Sequence, residues 1–117
     1  MEITKGRVDV QQKNVKGWLV GQFLEPPFKD DNVEIYCKTF PVGNPQDQLH
    51  YHPQGQEYLI VIKGRAKMKI GDETTDLNPG DYLGIPANTP DQLLEIIEEL
   101  TLIGVRYPSI PDNKVFL

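Results

Sequence analysis

The segment from His50 to Gly64, HYHPQGQEYLIVIKG, holds the residues with the clearest capacity for chemistry. Side chains alternate between faces on an extended strand, so His50 and His52 point the same way and Tyr51 the other. Pro53, Gln54 and Gly55 supply a turn. Glu57 follows, and the apolar run Tyr58 to Ile62 brings this acid back to the neighbourhood of the two histidines. Neutral imidazole and carboxylate are donors suited to iron, manganese, nickel or zinc, and two histidines with one carboxylate form the facial set used in iron(II) and oxygen chemistry. These are the chain's only two histidines. The competing reading is a polar, hydrogen-bonded cluster in a site that binds a small molecule without metal. No serine or cysteine nucleophile is assembled with a base, because both histidines are taken up here, and no phosphate-binding glycine loop follows a strand.

The spacing His-x-His-x4-Glu-x6-Gly over residues 50 to 64 resembles the first motif of the cupin superfamily. Residues 80 to 91, GDYLGIPANTPD, resemble the second motif, Gly-x5-Pro-x-Gly-x2-His, through Gly80 and Pro86, with Asn88 in place of glycine and Asp91 in place of histidine. Asn88 is a mild departure, since asparagine tolerates positive φ. Asp91 is the larger one, because it stands where the family places its last metal-binding histidine. The resemblance implies an all-β fold, a single-domain jelly-roll antiparallel β-barrel over residues 1 to 117. It also implies a divalent metal held by His50, His52, Glu57 and Asp91. Two readings of Asp91 stay open: a fourth ligand or an uncoordinated general base beside the ion on one side, and the cap of a turn or helix start after Pro90 on the other.

The elements that must position these residues fit one domain, as expected for 117 residues. Twelve basic against seventeen acidic residues give a net charge of -5, which opposes attraction to nucleic acid or anionic membranes. The longest apolar run, Tyr58 to Ile62, is far short of the roughly 20 residues that span a bilayer, and the polar start MEITKGR lacks the apolar core of a signal peptide. A cytoplasmic protein is expected. Cys37 is the single cysteine and reads as a buried thiol in a strand.

Along the chain, residues 1 to 17 read as an edge strand and Trp18 to Leu24 as a short strand ended by Pro26 and Pro27. Val33 to Phe40 alternates an oily face with an amphipathic one carrying Glu34, Tyr36 and Lys38. With Glu57 inward, Leu59 and Val61 also face the core, whereas Tyr58, Ile60 and Ile62 form an apolar outer triplet that calls for a second cover, most economically another subunit in a homodimer. Ala66, Met68 and Ile70 continue inward, and Gly71-Asp72 turns the chain into a hairpin. Residues 89 to 106 have helical spacing in DQLLEIIEEL, yet two strands, Gln92 to Ile97 and Leu100 to Arg106 with Glu98-Glu99 at the tip, close the sheet and are the reading adopted. The tail from Tyr107 is expected on the surface or across a partner.

Two functions follow. The first is metal-dependent chemistry on a small organic molecule, as an oxygenase, isomerase or lyase, with Asp91 and Glu57 as the acid-base candidates. The second is a non-catalytic barrel that binds or senses a small molecule, with or without metal. Tyr36, Lys38, Gln48, Gln56 and Tyr82 are further polar groups for contacting such a molecule.

Overall fold

The computed structural model describes residues 3 to 117. Its strands belong to one eight-stranded antiparallel sheet curled on itself. They are β1 (Trp18–Val20), β2 (Glu34–Phe40), β3 (His50–Tyr51), β4 (Gln56–Ile70), β5 (Glu73–Leu77), β6 (Tyr82–Ile85), β7 (Asp91–Tyr107) and β8 (Val115–Phe116). A short helix, α1 (Val8–Val15), precedes them. The expected all-β barrel is therefore present. Among the described residues no helix is long and apolar enough to cross a membrane.

Two long strands organise the sheet. β4, with 15 residues, and β7, with 17, pair along their whole lengths, from Gln56↔Tyr107 to Ile70↔Asp91. Each half of each strand then recruits a different neighbour: β4 takes β6 and β5, and β7 takes β2 and β3. Register shifts between Val61 and Ala66 bend the pair where the two halves meet. Gly64 makes the bend possible. Its φ is +90°, and a Cβ there would land on the carbonyl oxygen of Glu99.

The period-2 pattern of β4 is realised as read: Glu57, Leu59, Val61, Ala66 and Met68 are buried, and Tyr58, Ile60 and Ile62 are exposed. The inward set packs with Leu77, Ile85, Leu93, Ile96, Leu100 and Leu102 into the core. Gly71 and Asp72 form the two-residue connection from β4 to β5, as Ile70 pairs Glu73. Asn88 takes φ +65°, the conformation for which its place normally carries glycine, and its N–H donates to the His52 carbonyl at 2.9 Å.

Two expectations are corrected. Residues 8 to 15 are helical, not an edge strand: the Val8 and Val10 alternation is only two residues long, and both side chains are exposed. Lys16 and Gly17, both at positive φ, end that helix, and the Gly17 N–H reaches back to the Gln11 carbonyl at 2.9 Å. Residues 91 to 107 are one continuous strand and not a hairpin. Glu98 and Glu99 lie opposite β4 at the bend, where they pair with Arg65 and Lys63 at 3.8 and 3.2 Å, so their charge marks an exposed stretch and not a tip. The tail lies largely on the surface, as expected, and returns over its own barrel. β8 pairs β3, and Ser109 is buried with its hydroxyl donating to Glu34 at 3.1 Å.

Candidate metal centre

The two histidines reach one end of the barrel by different constraints. His50 sits in β3 between β7 and β8, directly opposite Asp91 on one side and Phe116 on the other. His52 follows Tyr51, so its side chain returns to the inner face, and its ring lies 5.2 Å from that of His50. Both are buried, as is Asp91. One ligand atom from each of His50, His52 and Asp91 can be chosen so that all three lie within 4.8 Å of one another.

Backbone carbonyls orient both imidazoles. His50 Nδ1 lies 2.6 Å from the Gln48 carbonyl and His52 Nδ1 2.6 Å from the Asn113 carbonyl. A carbonyl oxygen only accepts, so each Nδ1 carries a proton and each ring turns its Nε2 inward. Burial, aided by the charge of Arg106, lowers the pKa of His52 and keeps that ring neutral.

The inward atoms lack ordinary partners. Among the described residues, His52 Nε2 and Asp91 Oδ2 are the buried side-chain atoms without a hydrogen bond. His50 Nε2 faces Asp91 Oδ1 at 3.4 Å. Two acceptors so placed need a proton or a cation between them. Burial, together with the charges of Glu57 and Asp47, pushes the Asp91 carboxyl up to about 7. A donor set of two imidazole nitrogens and a carboxylate, preoriented and unsatisfied, fits a divalent ion.

Glu57 is the fourth group predicted from the sequence, and its two oxygens are in different situations. Oε1 stands 3.9 Å from His52 Nε2. Oε2 accepts from Arg106 Nε at 2.6 Å and from the Tyr36 hydroxyl at 3.0 Å. Burial raises the Glu57 carboxyl, but the guanidinium outweighs burial and holds it below its usual value. Arg106 also lies 3.6 Å from Glu34. The Tyr36 phenol, driven well above its ordinary range by burial and the Glu57 charge, stays protonated and donates. Tyr36 can lie there because Gly104 is beneath it: a Cβ at that position would overlap the ring.

Sequence reading missed Arg106. The signal was faint: one arginine in an apolar run, LTLIGVRY, whose partners are fixed by the registers Glu57↔Arg106 and Glu34↔Arg106. Of the other polar candidates, Tyr36 and Lys38 line the cavity at this end of the barrel, Gln48 acts through its carbonyl, and Tyr82 is exposed on the outer face. Gln56 accepts from the Tyr58 hydroxyl outside the barrel.

Residues 37–93 match the family described as the Cupin domain. The chain carries a cupin domain. This cupin is 27% identical over 104 residues to quercetin 2,3-dioxygenase of Bacillus subtilis, a match that covers 89% of this chain and 26% of the dioxygenase. The chain thus spans about a quarter of the length of that relative. Its fold is similar to a Klebsiella pneumoniae protein with a double-stranded β-helix domain, at a TM-score of 0.71 and 20% identity over 98% of this chain and 97% of that one. It is also similar to a DMSP lyase of Ruegeria pomeroyi, at a TM-score of 0.70 and 22% identity over 85% of this chain and 49% of the lyase. At these identities the structural likenesses speak for the fold.

Proposed function

We propose that this cupin holds a divalent ion, of the iron, manganese, nickel or zinc group, through His50 Nε2, His52 Nε2 and the Asp91 carboxylate, and uses it in chemistry on a small organic molecule. The observation that carries the reading is the pair of buried, unpartnered atoms, His52 Nε2 and Asp91 Oδ2, in a cluster whose imidazoles are already oriented by their Nδ1 protons. Bound there, the ion supplies Lewis acidity or redox capacity, the common requirement of oxygenase, isomerase and lyase chemistry.

The protein's own groups have distinct parts. Two neutral imidazoles and one carboxylate leave a divalent site with about one unit of positive charge, whereas a second carboxylate would cancel it. Arg106 withdraws Glu57 from that role by neutralising it and holding Oε2. Glu57 then serves as a proton acceptor beside the site, with the Tyr36 hydroxyl as its partner facing the same cavity. The apolar wall of Leu59, Met68, Leu93 and Leu102 limits water around the reacting molecule. A homodimer formed through the outer face of β4 and β6 belongs to the same proposal.

The test is metal content of protein purified without chelator, repeated on His52→Ala and Asp91→Ala. Stoichiometric metal in the parent that falls to a small fraction in both variants supports the site. Unchanged content in His52→Ala refutes it. Oxygen uptake or turnover by the metal-loaded protein, against small phenolics, sugars and keto acids, separates an enzyme from a metal-binding receptor; inactivity on all of them favours the receptor.

A further inference from the structure

The cavity beside the metal cluster is lined by two lysines that, among the described residues, no carboxylate pairs. It holds about 130 Å³ and brings Lys38 and Lys114 together with His50, Asp91 and the apolar Leu59 and Met68 in its lining. An apolar cavity of roughly 150 Å³ accepts a molecule the size of benzene, so this one suits a compact substrate of a single ring or a short chain. Three cations line it, Lys38, Arg106 and Lys114, against three carboxylates, Asp47, Glu57 and Asp91.

The cations differ in what they already hold. Arg106 is engaged by Glu57 and Glu34. Among the described residues neither Lys38 nor Lys114 has a carboxylate partner or a side-chain hydrogen bond. The Lys38 ammonium instead stands over aromatic faces, 4.8 Å from the Tyr36 ring centre and 5.4 Å from that of Trp18, and Lys114 lies 5.3 Å from the Phe116 ring centre. Lys38 is half-buried and on β2, whereas Lys114 is exposed and comes from the tail that folds back to pair β8 with β3. Burial, with repulsion from Arg106 and Lys114, disfavours the charge on Lys38, a situation that an incoming anion relieves. The remaining acid, Asp47, accepts the Leu93 N–H at 2.9 Å, which ties it to the wall.

We infer that the substrate is a small carboxylate whose charged group is held between Lys38 and Lys114, with its carbon frame along the apolar wall and its reacting end toward His50 and Asp91. The inference deepens the proposed function, since it rests on that cluster being the reacting end. The anion-binding half is a property of the two lysines and is measurable without metal.

Titration calorimetry with benzoate and butyrate, against the neutral benzyl alcohol and butanol, tests it, with the fluorescence of Trp18, the chain's one tryptophan, as a second readout. The carboxylates should bind at least about tenfold more tightly than their neutral counterparts. Lys38→Met/Lys114→Met should lose about tenfold in carboxylate affinity and leave the alcohols unchanged, and Lys38→Arg should restore part of the loss on a Lys114 background. The parent protein stripped of metal by a chelator should keep the carboxylate preference. Equal binding of acids and alcohols, no saturable binding of any carboxylate, or a preference that vanishes with the metal and ignores the lysines overturns the inference. The last outcome would place the carboxylate on the ion and leave the metal proposal standing, whereas absent metal with intact lysine-dependent binding would fail the metal proposal alone.

Discussion

At the residue scale, each inward-facing donor is prepared by a neighbour. Carbonyls of Gln48 and Asn113 fix the imidazoles, and Arg106 with Tyr36 fixes Glu57. Removal of Arg106 leaves two buried carboxylates, Glu57 and Glu34, without their cation. Arg106→Ala should therefore destabilise the protein by about 3 kcal/mol in urea unfolding at neutral pH. The Glu57 carboxyl is depressed, so its contribution is complete above the ordinary glutamate pKa and disappears as pH falls through the lower folded value. Acidification should consequently weaken the parent and narrow its gap to Arg106→Ala. The Asp91 carboxyl is displaced the other way, up to about 7, so a metal must displace its proton in weakly acidic solution. Zinc affinity measured by competition should rise from about pH 6 to about pH 8 and lose part of that rise in Asp91→Asn. The histidines were legible in sequence because a two-residue spacing on a strand dictates a shared face. Arg106 was not, because its partners lie on strands dozens of positions away and only register brings them together.

At the element scale, β4 and β7 carry the site by bending as a pair. Gly64→Ala forces positive φ on alanine and drives its Cβ into the Glu99 backbone, so it should abolish soluble folded protein. Gly71→Ala, also at positive φ but with open space around it, should cost about 1 kcal/mol by thermal or urea unfolding. Gly104→Ala lies between these cases, displacing the Tyr36 ring and with it the Glu57 hydrogen bond. Alternation in β4 makes its two faces plain from the sequence alone. β7 was harder: LLEIIEEL satisfies helical and strand periods alike, and the Glu98-Glu99 pair imitates a turn because a bulged, solvent-facing strand segment also prefers charge. The first helix was missed for lack of an apolar stripe. It buries no residue and is held by polar contacts, including Gln12 to the Cys37 carbonyl and Gln11 to the Trp18 carbonyl.

At the scale of the whole molecule, the outer face of β4 and β6 presents Tyr58, Ile60, Ile62 and Tyr82 at 44, 39, 52 and 83% exposure. Ile60 and Tyr82 are cross-strand neighbours, so the patch is continuous. The proposed homodimer should appear in sedimentation analysis and dissociate in Ile60→Lys/Ile62→Lys; a monomeric parent would contradict it. The overall barrel was readable through the resemblance of the two motifs, over residues 50 to 64 and 80 to 91, to the cupin superfamily. The course of the tail was not, since Pro108 to Leu117 carries no periodic pattern and is placed by β3, Glu34 and Gln54. The central claim concerns where a cation sits, and anomalous diffraction at a metal edge from crystals of metal-loaded protein tests it most directly. One peak within bonding distance of His50 Nε2, His52 Nε2 and an Asp91 oxygen, with Arg106 still on Glu57, is the predicted result. No peak at that cluster, or a peak held elsewhere in the molecule, would contradict it.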